Sequence, residues 1–203
     1  VAPPRSTQAI TGRNWAVIGV LCAIYIVAYF DRVNLSVALT VADFKAFFKL
    51  TDLDRGNLNA AFFWTYAALQ IPAGLFVDRF GAKRSLAIAF VVWSLVAAGT
   101  GLAQSFAQLF AMRLLLGVGE SVVTPAGMHW IRHNCPEERR GLVIGLFMAA
   151  AKIGPALGNF VAVGLLLAFG WRPMFIILGL GSLVCVVPWL VLVENDHRLA
   201  HFK

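Results

Sequence analysis

Six stretches of the chain stay apolar long enough to cross a bilayer, at 15–39, 57–77, 85–103, 106–130, 142–168 and 173–193. A helix needs about 20 apolar residues to cross hydrocarbon about 30 Å thick, so the pattern predicts six transmembrane helices. The polar connectors are short, which makes neighbouring spans hairpins rather than separate soluble domains. With 60% hydrophobic and 13% charged residues over 203 positions, too little polar surface remains to clothe a water-soluble globule. The expected class is an all-α membrane protein with the lipid bilayer as its surroundings.

Charge then sets an orientation. With the first residues inside, the inner connectors and ends hold Arg5, Arg13, Arg79, Lys83, Arg84, Arg132, Arg139, Arg140, Arg198 and Lys203. The outer ones hold only Lys45, Lys49, Arg55 and Arg172. Basic residues beside spans are retained on the cytoplasmic side, so both ends are expected to be cytoplasmic and the protein multi-pass in the cell membrane. The net charge of +7 is mostly this topology signal, and no solvated basic face for nucleic acid is visible. The first span is too long for a secretory signal and lacks its small-residue cleavage site. Cys22, Cys135 and Cys185 are odd in number and widely spaced, implying neither a disulfide framework nor a metal site.

The chemistry lies in charges where lipid would be expected. Asp31 and Arg32 interrupt the first span, Arg113 and Glu120 the fourth, and Lys152 the fifth. Each costs roughly 2.5–3.5 kcal/mol at membrane depth even on permissive scales, so a use must be sought. At 1.5 Å per residue, Asp31 and Arg32 sit about 11 Å, and Arg113 about 10 Å, from the outer ends of their spans. Glu120 follows Arg113 by two helical turns, on the same face and about 10 Å deeper. Lys152 is as far from the inner end of its span as Glu120 is. This predicts an outer layer of Asp31, Arg32 and Arg113 and a mid-membrane layer of Glu120 and Lys152, facing one aqueous cavity. A carboxylate in such a cavity responds to hydration and to a nearby cation, which makes Asp31 and Glu120 candidate proton carriers. Arginine keeps its proton and holds carboxylate or phosphate with a bidentate fork, so Arg32 and Arg113 point to an anionic substrate.

The connector between the second and third spans reads Gly74-Leu-Phe-Val-Asp78-Arg79-Phe-Gly81-Ala-Lys83-Arg84, and the fourth span holds Arg113-Leu-Leu-Leu-Gly117-Val-Gly119-Glu120. The first closely resembles the loop signature of the major facilitator superfamily, with Phe76 and Ala82 departing from it. The second is similar to its fourth-helix motif, and its terminal Glu resembles the anion:cation symporter family within that superfamily. Tyr29-Phe30-Asp31-Arg32-Val33-Asn34, Pro136-Glu-Glu-Arg139-Arg140-Gly141 and Gly170-Trp171-Arg172 resemble the same family.

That resemblance implies the N-terminal six-helix half, two inverted three-helix repeats, of a twelve-helix transporter working by alternating access. It implies proton-coupling roles for Asp31 and Glu120, and places Tyr29, Arg32 and Arg113 near an organic anion such as a sugar acid. Lys152 joins them as a candidate substrate contact, and Gly74, Asp78, Arg79, Gly81 and Lys83 form a conformational latch. The expected organisation is a cytoplasmic tail (1–13), the six-helix half (14–194) and the start of a linker (195–203). The chain begins at Val1, has its first methionine at Met112 and ends in a polar stretch, so further sequence carrying a second half is expected beyond Lys203.

Three other readings compete. Gly141, Gly154, Pro155 and Gly158 partly match an antiporter motif, which would suit proton-driven export of drugs or other organic solutes, but serve helix packing equally well. His129 and His133 share a helix face but lack the glutamate of a zinc-hydrolase motif, so no metal, cofactor or enzyme activity is expected. A six-helix channel or structural protein acting as a dimer is the third.

Overall fold

The computed structural model describes residues 10–194; the first nine residues of the expected tail and the linker from 195 lie outside them. Among the described residues every regular element is helical. They are α1 (Gly12–Ala38), α2 (Ala42–Phe48), α3 (Asp52–Ala68), α4 (Gln70–Phe80), α5 (Ala82–Thr100), α6 (Phe106–Glu120), α7 (Val123–Asn134), α8 (Glu137–Phe169), α9 (Trp171–Ser182) and α10 (Val186–Leu192).

Spans one, three and five are the single helices α1, α5 and α8, whereas the other three are broken. The second bends by 48° between α3 and α4. The fourth breaks at Ser121 and Val122, and the sixth passes through a 3-10 turn, Leu183–Cys185, between α9 and α10. Hydrogen bonds settle whether the bent pair crosses. At the start of α1, Arg13 donates to the Leu192 carbonyl at 2.8 and 3.0 Å and pairs with Glu194. The Asn14 amide donates to the carbonyl of Asn134 at the end of α7. The starts of α1 and the ends of α7 and α10 therefore share one side, which requires an even number of crossings. Only α3 and α4 acting together as one span satisfy that, which gives six spans among the described residues.

The packing partners fall into two equivalent sets. Span one packs on five as span four packs on two, and spans three and six pack on each other. Exchanging one for four, two for five and three for six leaves this pattern unchanged, as two three-helix repeats require. The joints match as well. Gly81, between spans two and three, has φ 80° and ψ 157°, and Gly170, between five and six, has φ 83° and ψ 176°. Only glycine enters that region without strain, which explains both glycines at once.

Helix starts follow the local sequence. The Thr11 and Ser105 side chains accept from the main chain of Asn14 and Gln108. Thr51 and Asp54 cap α3 reciprocally. The short α2 is held by Phe44 and Phe48, one turn apart, which pack with Trp171 and Phe175. Burying each such ring is worth about 1.5–3 kcal/mol. On the same side, Arg172 donates to the Gly101 carbonyl at 3.0 Å and stacks over Trp171, tying spans three and six.

Candidate functional site

The apolar run of α1 exposes nothing polar to lipid at Asp31 because that face turns inward; Asp31 and Asn34 are both fully buried. Glu120 is fully buried on α6, and Arg113, two turns earlier, is 2% exposed. The four charged side chains predicted for spans one and four thus converge, and Asp31, Arg113 and Glu120 lie in Coulombic range of one another.

Contacts among them are specific. Arg32 Nε donates to Glu120 Oε2 at 2.6 Å, with 12% of the Arg32 side chain exposed. Its guanidinium sits over three rings, with Cζ 4.5 Å from the centroid of Tyr29, 4.7 Å from Tyr66 and 5.0 Å from Phe62. Arg113 Nη1 donates to the main-chain carbonyl of Asp31 at 3.3 Å rather than to its carboxylate, and Cζ lies 5.9 Å from the Phe175 ring. The Asn34 amide donates to Asp31 Oδ1 at 3.4 Å. Nearby, the Thr124 hydroxyl meets that of Tyr25 at 3.1 Å and that of Tyr66 at 3.5 Å.

Close helix contact holds this geometry. Gly117 lets α6 lie against α3: a Cβ there would fall 2.2 Å from Thr65 Oγ1 and 2.4 Å from the Phe62 carbonyl oxygen. On α8, Gly154 and Gly158 make the equivalent approach to Tyr29, Phe30 and Val33 of α1, so two of the four residues of the partial antiporter motif are packing residues. A crevice of about 30 Å³, the room of one water molecule, is lined by Arg32, Leu35, Leu58, Asn59, Phe62, Phe63 and Arg113.

Several buried polar atoms here make no hydrogen bond among the described residues: Asp31 Oδ2, Arg32 Nη2, Asn34 Oδ1, Arg113 Nε and Nη2, and Glu120 Oε1. Buried polar groups are ordinarily paired, so such a concentration sets this cluster apart from the rest of the bundle.

The two predicted layers are bridged. Arg32 spans them, because its long side chain reaches down to Glu120 from the level of Asp31. Lys152 is not brought to Glu120; its side chain is exposed on α8 and has no ion-pair partner among the described residues. Equal depth placed them together in sequence, but α8 turns Gly154 and Gly158 toward α1 and Lys152 away. Phe62, Tyr66 and Thr124 had no sequence signal, since each reads as an ordinary span residue. Tyr25 alone could have been suspected, one turn before Tyr29 on the same face.

In the last turn of α4, Asp78 is exposed and its Oδ1 lies 3.2 Å from His129 Nδ1 on α7. His133 Nδ1 donates to the His129 carbonyl at 2.8 Å. His129 thus joins the end of α4 to α7, while His133 bonds within its own helix. Gly81 makes the turn, Arg79 stacks on Phe80, and the Lys83 carbonyl accepts from the Trp189 indole at 3.0 Å. Gly74 lies on α4, and a Cβ added there would meet nothing within 4 Å, so no close helix approach explains it.

Comparison with known proteins agrees with this architecture. The chain is 35% identical over 167 residues to a probable sulfoacetate transporter of Cupriavidus necator, covering 82% of this chain and 38% of that protein. It is 32% identical over 175 residues to a probable L-galactonate transporter of Escherichia coli, covering 86% and 38%. A probable galactarate/D-glucarate transporter of Escherichia coli is 30% identical over 189 residues, covering 88% and 42%. The chain therefore spans well under half the length of these relatives. Its fold matches the inward-facing, unoccupied crystal structure of a bacterial homologue of the human lysosomal transporter Spinster, with a TM-score of 0.80 at 22% identity, over 94% of this chain and 45% of that one. With six spans in two equivalent sets and residues 21–203 matching the family model, the chain belongs to the Major Facilitator Superfamily.

Proposed function

We propose that this chain is the N-terminal half of a proton-coupled symporter of the anion:cation symporter type, carrying a small organic anion such as a sugar acid by alternating access. The observation that carries the reading is Arg32. One edge of its guanidinium is held by the buried carboxylate of Glu120, while Nη2 makes no hydrogen bond among the described residues and the side chain lines the crevice it shares with Arg113.

Charge balance gives the coupling. Asp31, Arg32, Arg113 and Glu120 sum to zero when all are ionised. A proton on Glu120 releases Arg32 and leaves the cluster one positive charge in excess, which a substrate carboxylate then neutralises with a bidentate contact. Without the proton, an anion must displace Glu120 from a buried pair. Proton and anion therefore favour each other's binding, as symport requires. Tyr29 shapes the site as an aromatic wall over Arg32. Lys152, exposed on α8, is positioned to meet a second half, from which it would contact the substrate. The relatives' names, sulfoacetate, L-galactonate and galactarate/D-glucarate, are all anions, which supports this class of cargo.

Orientation rests on the basic residues: the side bearing Arg13, Arg79, Lys83, Arg84, Arg132, Arg139 and Arg140 is assigned to the cytoplasm of a cell membrane. There the Asp78 connector serves as the latch, with Gly74, Arg79, Gly81 and Lys83, holding one cavity state through contacts that part when the halves rock.

The test is transport by the full-length protein in liposomes. A sugar acid is taken up against its gradient only when protons flow inward. Glu120→Gln abolishes that accumulation but retains counterflow. Undiminished accumulation in both Asp31→Asn and Glu120→Gln defeats the assignment of the coupling residues, and uptake indifferent to the proton gradient defeats symport.

A further inference from the structure

On the side of span four turned away from the charge cluster, the broken helices leave an apolar groove of about 380 Å³, the size of a small-molecule site. Its walls include Pro72 and Phe76 of α4, Ile88 and Val92 of α5, and Val118 near the end of α6. The local sequence opens it. Pro72 has no N–H to give the helix, and span two bends by 48° just before it, so that α4 packs on α5 while α3 packs on α6. The groove lies in the angle between them. Val118 stands two residues before Glu120, about 200° around the helix, which puts the groove behind span four as seen from the buried charges. Ile88, Val92 and Val118 are all exposed.

The lining gives water nothing to hold. Ser121 carries the one side-chain hydroxyl on it, and that hydroxyl donates to the Val118 carbonyl at 2.7 Å. Within a bilayer the apolar occupant at hand is a lipid tail, held by packing. One end of the groove is basic. Arg84, Ile88 and Val92 follow at intervals of four along one stripe of α5, so the exposed Arg84 stands one turn, about 6 Å, beyond Ile88. On α4, Phe76 meets Phe80 with ring centroids 4.9 Å apart, and the Arg79 guanidinium lies over the Phe80 ring at 5.6 Å. Two arginines, one from each wall, thus stand at the same end, where spans two and three join. Neither forms an ion pair among the described residues.

We propose that this groove binds one anionic phospholipid, with an acyl chain against Phe76, Ile88, Val92 and Val118 and the phosphate between Arg79 and Arg84. The guanidinium fork suits phosphate oxygens, and the wall from Arg84 to Val92 runs about 12 Å along α5 beneath the headgroup. A second half leaves the groove open, because a substrate cluster shared between two halves puts the partner on the opposite face of span four. The site is independent of the coupling roles given to Asp31 and Glu120. Arg79 belongs to the proposed latch as well, so the headgroup contact is tested at Arg84.

Photocrosslinking of the full-length protein reads the site without reference to transport. Protein in phosphatidylcholine vesicles receives a trace of phosphatidylglycerol or phosphatidylcholine carrying a diazirine in mid-chain, and the labelled residues are located by peptide mass spectrometry. Labelling by the phosphatidylglycerol probe is expected to concentrate on Ile88, Val92 and Val118 and to exceed that by the phosphatidylcholine probe. Arg84→Gln lowers this preference about fivefold, the roughly 1 kcal/mol that one basic residue near a membrane surface contributes. Arg139→Gln, which removes an exposed arginine at the start of α8 on the same side, leaves it unchanged. Ile88→Trp fills the groove and removes labelling of Val92 and Val118 by either probe. Val92→Trp, read at Ile88 and Val118, serves where that variant fails to fold. Labelling spread evenly over the exposed faces of the bundle, or an equal loss of preference in Arg84→Gln and Arg139→Gln, overturns the site. Labelling confined to the groove but equal for the two probes overturns the anionic headgroup.

Discussion

Deleting the charge of Arg32 and that of Glu120 in turn should give two instabilities that answer differently to pH. The pair is 2.6 Å long, with Glu120 fully buried and Arg32 nearly so. Removing one partner of a buried ion pair typically costs about 3–5 kcal/mol, since the remaining charge is left uncompensated. In Glu120→Gln the remainder is Arg32 and Arg113 facing only Asp31. A guanidinium does not give up its proton in a protein, so that cost persists at every pH. In Arg32→Gln the remainder is Asp31 and Glu120 facing only Arg113, and a carboxylate can neutralise itself by binding a proton. The folded state then holds a proton that the unfolded state lacks, and stability rises as pH falls. The double variant restores balance between Asp31 and Arg113 and recovers most of either loss. Unfolding of a membrane protein in detergent is commonly irreversible, so the measurement is a set of thermal inactivation half-lives in acidic and alkaline buffer. Equal losses at both pH values in the two single variants, or a double variant no better than either, would refute the reasoning.

The packing makes further predictions. Gly117→Ala forces its Cβ against Thr65 and the Phe62 carbonyl, and because the main chain of α3 must yield, the loss falls at or above the usual 1–3 kcal/mol for overpacking; thermal half-life and uptake rate decline together. Gly81→Ala strains a joint at φ 80° by about 1–3 kcal/mol with no change in the buried cluster, so stability falls while the proton dependence of uptake keeps its shape. Burial pushes the Cys135 thiol up despite the opposing effect of Arg140. Its maleimide labelling, followed by peptide mass spectrometry, is therefore slower than that of a free thiol at neutral pH and rises about tenfold per pH unit below its midpoint. Labelling at the free-thiol rate would contradict the buried C-cap of α7.

What the sequence could and could not show divides along physical lines. Spans one, three and five were legible because hydropathy measures transfer to lipid, and those helices run unbroken. The breaks at Leu69, Ser121–Val122 and Leu183–Cys185 were not, because an apolar side chain fits lipid whether or not its main chain continues a helix. Within one helix, spacing was a sound guide: two turns between Arg113 and Glu120 put both inside. Between helices it failed, since depth fixes a level but not an angle around the axis. Lys152 stands two residues before Gly154, about 200° around α8, so the glycine packing that draws one face to α1 turns the lysine outward. The pairing of Arg32 with Glu120 was hidden for a related reason. It depends on where α1 and α6 are each seated, and small residues decide that: Gly117 and Gly119 let α6 lie against α3 and α5, and Gly154 and Gly158 let α8 lie against α1. The charges announced that a site exists, but the residues that determine which charge meets which carry no charge at all.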